Sequence, residues 1–212
     1  MTGFQFLITL EHVKPHVWRQ VVIPSDFDFY DLHSVIQTSM GWTDSHLFAF
    51  FLKGDGDKTI QLVGDEESVQ DHFARAKIYM QDPPEKGSYE YTMYQRFIRT
   101  ELLLARDVIL DTYVEPDFEF SYTYDFGDGW MHHVKLEKIV NDYTLEMPTL
   151  IAGKGDCPPE DVGGPPGYDE FKRVMKDKQD PDHAHMKQWA KEQGFKKFKL
   201  EANNQDLQEE WC

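Results

Sequence analysis

Cysteine is nearly absent from this chain: 212 residues contain Cys157 and Cys212 and no others. Two thiols cannot staple a chain of this length, and neither belongs to a Cys-x-x-Cys pair of the kind that holds zinc. Long apolar runs are missing too. No stretch approaches the ~20 consecutive apolar residues of a membrane span. Met1 opens no charged-then-apolar leader, so a cytoplasmic protein with no membrane partner is expected. Positive charge is scarce, with 22 Lys and Arg against 38 Asp and Glu and a formal charge of -16. Sequence-blind binding of nucleic acid runs on clustered Lys and Arg, so this balance argues against it. There is no Gly-x-x-x-x-Gly-Lys, Gly-x-Ser-x-Gly or His-Glu-x-x-His, no flavin motif, and Gly54-Asp55-Gly56 is a turn rather than a nucleotide fingerprint. What the chain does have is apolar mass. It is 40% hydrophobic and 14% aromatic, which is too much for disorder and enough for one sizeable core.

Periodicity then divides the chain. Phe4 to Glu11 alternates as a half-buried strand, and Val17 to Ile23, bounded by Pro15 and Pro24, is a second strand that makes an antiparallel hairpin over 4–23. Asp28 reads as a helix N-cap with Asp31 three residues on. Leu32, Val35, Ile36 and Met40 follow at helical spacing, and Gly41 ends the helix. His46 to Leu52 is an aromatic strand returning through Thr59 to Val63, a second hairpin over 46–63. Residues 65–117 are the least patterned: Glu66 to Lys77 and Phe97 to Leu104 read as helical, with a break at Asp82-Pro83-Pro84. Pro148 to Gly167 reads as a Gly- and Pro-dense loop, Tyr168 to Lys176 as a helix, and Pro181 as the first turn of another running to about Glu192. The expected fold is α+β: an antiparallel β-sheet packed with helices in a single domain over 1–212.

The third hairpin, 118–140, is the sharpest pattern. Phe118, Phe120, Tyr122, Tyr124 and Phe126 alternate with polar residues, and so do Trp130, His132, Val134 and Leu136 after Gly127-Asp128-Gly129. A three-residue loop with Gly129 in the left-handed region would pair Phe126 with Trp130 and Tyr124 with His132, keeping the apolar residues on one face. At this tip Asp125, Asp128 and His132 could bind a divalent metal or perform acid–base chemistry. The alternative is structural: Asp128 favours turn geometry, and His132 beside Trp130 is a core histidine. Arg19, alone among apolar residues, needs an anion if buried, and Asp125 could supply it.

The second marked segment is Cys157-Pro158-Pro159-Glu160-Asp161-Val162-Gly163-Gly164-Pro165-Pro166-Gly167-Tyr168. Its prolines stiffen a loop from which Glu160 and Asp161 could face a ligand, with Tyr168 at its end. It could equally be a scaffold leading into a helix. Cys157 has no partner that would make it a metal ligand or nucleophile. Asp55 to Glu66 echoes a calcium loop, but Ile60 occupies the position that requires glycine. His183 and His185, two apart, diverge on a helix. Lys187, Lys191, Lys196, Lys197 and Lys199 make a locally basic tail that reads as a solvated face.

Several of these pieces together resemble the plasmid pRiA4b ORF-3-like family. They are Ile8-Thr9-Leu10 through Pro15-His16-Val17-Trp18-Arg19 to Pro24, Asp31-Leu32-His33, Met40-Gly41-Trp42 and His46-Leu47. With them go Tyr124-Asp125-Phe126-Gly127-Asp128-Gly129-Trp130 with His132 and Glu137, and Cys157 to Asp161 with Gly163-Gly164 and Gly167-Tyr168. The resemblance implies one α+β domain carrying a variable insertion at about 53–117. It implies no activity, cofactor or catalytic residue. Two functional readings follow. One is a non-enzymatic binding module whose rim, formed by the 125–132 turn and the 157–168 loop, grips a protein, peptide or small ligand through Arg19, Asp125, Asp128, Trp130, His132, Glu160, Asp161 and Tyr168. The other is a metal-assisted or acid–base enzyme built on Asp125, Asp128, His132, Glu160 and Asp161. An accessory nucleic-acid role, suited to a mobile-element family, works against the charge.

Overall fold

A computed structural model describes residues 1–211. Eight strands form one sheet: β1 (Gly3–Leu10), β2 (Val17–Pro24), β3 (Phe48–Lys53), β4 (Thr59–Val63), β5 (Thr100–Leu104), β6 (Glu119–Tyr124), β7 (Trp130–Val140) and β8 (Thr149–Lys154), in the spatial order β5-β4-β3-β6-β7-β1-β2-β8. Every neighbouring pair is antiparallel except β4 with β5. The helices are α1 (Phe29–Met40), α2 (Glu66–Gln81), α3 (Tyr89–Phe97), α4 (Gly164–Lys176), α5 (His183–Glu192) and α6 (Leu200–Glu210). The fold is α+β.

Alternation in sequence becomes alternation in burial. Phe4, Phe6, Ile8 and Leu10 of β1, Phe120, Tyr122 and Tyr124 of β6, and Trp130, His132, Val134 and Leu136 of β7 all enter the core. Half-exposed Gln5, Thr9 and Met131 lie between them, as expected of an antiparallel sheet buried on one face. Helix α1 covers that face with Phe29, Leu32, Val35, Ile36 and Met40. Its ends are those expected: Asp28 and Asp31 form a reciprocal capping box, and Gly41 closes the helix at φ +97°. Helix α6 packs on both α1 and β8, tying the tail to the sheet edge.

Four expectations are corrected. The 118–140 hairpin turns through five residues, not three, so Tyr124 opposes Trp130 and Tyr122 opposes His132. Asp125 leaves the strand at φ +52°, accepts hydrogen bonds from the Gly127 and Asp128 amides, and receives the Gly129 amide on its own carbonyl. Phe126 is thereby expelled to 53% exposure. The register differs by two residues, so apart from Phe126 the side chains expected to face inward, Phe120, Tyr122, Tyr124, Trp130, His132, Val134 and Leu136, still do. Residues 100–104 are a strand, not a helix: Leu102 joins Ala49 and Val63 in a small buried cluster, and pairing with β4 outweighs local preference. Within the expected 148–167 loop, 149–154 is the edge strand β8, paired with β2. Helix α4 begins at Gly164, because Pro165 and Pro166 sit in a first turn whose amides need no partner. Every residue of α2 and α3 keeps some exposure, and among their large apolar side chains Met80, Tyr89, Phe73 and Ile78 are the most exposed.

Candidate functional site

The two marked segments meet. Asp128 Oδ2 accepts the Gly163 amide at 3.0 Å, and the backbones approach so closely that a Cβ on Gly164 would lie 2.6 Å from the Asp128 carbonyl oxygen. Gly164 holds φ +68° there, a conformation that glycine adopts without strain. Deeper in, the Tyr124 hydroxyl donates to Glu160 Oε1 at 3.0 Å. Burial and the neighbouring Glu160 charge push the Tyr124 pKa far up, so the phenol keeps its proton and remains a donor.

A third segment completes the mouth. Residues 42–46 join α1 to β3 and are suspended from buried groups one after another. Trp42 Nε1 donates to the Pro158 carbonyl, the Thr43 amide to Glu160 Oε1, the Asp44 amide to Gln37 Oε1 and the Ser45 amide to the Tyr124 hydroxyl oxygen. Asp44 also meets His33 Nε2 at 2.9 Å, while His33 Nδ1 and Gln37 share the Tyr122 hydroxyl. These anchors fix His46, whose Nε2 lies 3.2 Å from Asp161 Oδ1, 3.7 Å from Asp125 Oδ2 and 4.0 Å from Glu160 Oε2.

The carboxylates around His46 share a pattern. Asp125 commits Oδ1 to two backbone amides, leaving Oδ2 turned towards the imidazole. Glu160, only 5% exposed, commits Oε1 to Thr43 and Tyr124, while Oε2 has no hydrogen-bond partner among the described residues. His46 Nε2 likewise lacks one of acceptable geometry. Asp161 is the outer, exposed member. A cleft of about 850 Å³ adjoins this mouth. Trp42, Thr43 and Glu160 form one side, and Phe195, Lys197 and Asn203 of the tail lie across it.

The other named residues lie elsewhere. Trp130 and His132 are fully buried beneath the turn. His132 Nδ1 contacts the Trp130 carbonyl, and burial pushes its pKa down to about 3, so the ring is neutral. Tyr168 is buried, its hydroxyl donating to the Asp156 carbonyl. Arg19 is not paired with Asp125. Its guanidinium donates to the carbonyls of Ser39, Trp18, Lys154 and Gly155 and stacks on Phe198, so buried carbonyls take the place of the expected anion. Cys157 is buried with its thiol pKa pushed up, chiefly by desolvation.

The sequence reading missed His46 as a member of the site by assigning it to a strand that begins only at Phe48. The signal was its position in the polar run Thr43-Asp44-Ser45-His46, directly before an aromatic strand.

Fold and site together define an acidic α+β sheet protein with a carboxylate–imidazole mouth at one end of a hairpin. The profile described as "Plasmid pRiA4b ORF-3-like protein" matches residues 2–206, and the chain belongs to that family. It is 37% identical over 183 residues to the uncharacterized protein y4hQ of Sinorhizobium fredii (strain NBRC 101917 / NGR234), covering 86% of this chain and 78% of that one. Its fold is similar to the crystal structure of MM3350 from Methanosarcina mazei Go1, a protein of unknown function. The TM-score is 0.72 at 25% identity, over 95% of this chain and 97% of the other.

Proposed function

We propose that this protein is a binding module whose rim, where the 125–129 turn meets the 157–163 loop, receives a guest presenting positive charge. One observation carries the reading: Asp125 and Glu160 are both buried, and each has one oxygen fixed by internal donors and the other turned to the point that His46 and Asp161 also face. Prepaid positioning of this kind favours binding, because the side chains lose little further freedom when a guest arrives. The surrounding charge of -16 draws cations and repels phosphate backbones. The acid–base reading loses its imidazole, since His132 is sealed and neutral. His46 is what remains at the mouth for such chemistry.

The test is amide chemical-shift mapping by NMR with spermidine and a short Lys- and Arg-containing peptide at about 0.15 M salt, where diffuse surface attraction is screened. Shifts should concentrate at Thr43, Gly127, Asp128 and Gly163 and vanish when Asp125 and Asp161 are both changed to Asn. Shifts spread evenly over the acidic surface would refute the reading.

A further inference from the structure

We infer that the mouth is a mononuclear site for a divalent first-row transition-metal ion, held by His46 Nε2, Asp125 Oδ2 and Asp161 Oδ1, with Glu160 Oε2 as fourth donor. This rests on the reading of the rim as a cation-accepting site and names its occupant. Donor atoms from His46, Asp125 and Asp161 all lie within 4.8 Å of one another. The imidazole nitrogen stands 3.2, 3.7 and 4.0 Å from the three carboxylate oxygens. Ligands at about 2.0–2.2 Å from one ion are separated by roughly 3.0 Å at right angles and roughly 3.4 Å in a tetrahedron. The His46–Asp161 separation already matches a shared ion, the other gaps among these three donors close by side-chain movement, and Glu160 Oε2, 4.0 Å from the imidazole nitrogen, moves in to join them.

Acids grouped at a surface would carry nothing by themselves, since most are merely solvated. Glu160 is different. It is 95% buried, and its Oε2 lacks a hydrogen-bond partner among the described residues while facing a ring nitrogen that lacks one as well. Leaving a buried carboxylate oxygen unpartnered is costly, and native structures rarely tolerate it without a reason. A cation at this point satisfies both orphaned atoms and offsets the repulsion among three carboxylates. The remaining contacts match the outer support that metal ligands require. The Gly127 and Asp128 amides hold Asp125, and the Tyr124 hydroxyl and Thr43 amide hold Glu160. Asp161, 60% exposed in its side chain, faces solvent and gives the ion its route in.

The donor set selects the class of ion. One imidazole with carboxylate oxygens suits Mn²⁺, Fe²⁺, Co²⁺ or Zn²⁺. Ca²⁺ and Mg²⁺ prefer oxygen alone, and Cu⁺ wants the sulfur that this cluster lacks.

Chelator-treated full-length protein is titrated with Co²⁺ and Zn²⁺ by calorimetry, and Co²⁺ binding is followed by its visible spectrum. One tight equivalent is expected. Asp161→Asn and His46→Gln should each weaken it at least tenfold and alter the Co²⁺ bands, whereas His185→Gln, on an exposed position of α5, should change neither. Glu160→Gln risks the fold because Glu160 ties two loops together, so the exposed Asp161 carries the test, with circular dichroism confirming that the variant folds. Binding untouched by Asp161→Asn and His46→Gln, or no binding at all, overturns the inference. If Co²⁺ and Zn²⁺ fail while spermidine still shifts the rim amides, the metal is wrong and the rim reading survives. If both fail, both readings fall.

Discussion

Acidification should destabilise this protein through a residue that never touches solvent. His132 is fully buried against Trp42 and Tyr122, its ring centroid 5.4 Å and 5.2 Å from theirs, and desolvation lowers its pKa from 6.5 to about 3. The folded pKa lies below the unfolded one, so between those values the unfolded chain binds the proton and the folded chain does not. The stabilisation is complete above about pH 6.5 and is lost as pH falls towards 3. At pH 5 an unshifted imidazole is protonated by roughly 30 to 1, so the unfolded state gains about 2 kcal/mol relative to pH 7.5. For a domain of this size that corresponds to a fall in Tm of roughly 4–8 °C. Carboxylates titrate lower and contribute their own slope, so the comparison is with His132→Gln, which carries no titrating group at this position. Denaturant unfolding at both pH values should show wild type losing about 2 kcal/mol more than the variant. Equal losses would mean that His132 is protonated inside the folded protein or that the core opens to water around it.

Cys157, buried and with its thiol pKa pushed up, should resist alkylation at pH 8 in the native state and react only on unfolding, as read by mass mapping of labelled peptides. Gly164→Ala places a methyl 2.6 Å from the Asp128 carbonyl oxygen at φ +68°, so it should cost about 2 kcal/mol in denaturant unfolding and part the two loops, moving the Gly163 amide resonance. Arg19→Lys cannot reproduce four diverging hydrogen bonds to carbonyls, and a loss of roughly 2–4 kcal/mol is expected in the same assay.

Where local chemistry dictates geometry, the sequence was readable. The α1 caps needed only Asp28, Asp31 and Gly41, and the three antiparallel hairpins needed only alternation with turn residues between. Even the misjudged hairpin register left the correct face inward, because an error of two residues preserves the period of the pleat. Legibility failed where a partner distant in sequence made the decision. Residues 100–104 carry too little pattern to distinguish strand from helix, and β4 supplies the hydrogen bonds that choose. Residues 149–154 lie in Gly- and Pro-rich surroundings and become a strand because β2 offers an open edge.

The site divides in the same way. Asp125, Asp128, Glu160 and Asp161 stood out from the stiffness and polarity of their own segments. Their meeting did not, because Asp128 and Gly163 bond across 35 positions and Tyr124 and Glu160 across 36. Nor could the sequence assign Arg19 to a cage of carbonyls, retire His132 to the core or promote His46 to the mouth. Local residue chemistry determined which turns, caps and faces this protein could form. Only the packed fold decided which polar groups remain unsatisfied, because desolvation and hydrogen-bond supply depend on neighbours that chain order does not reveal.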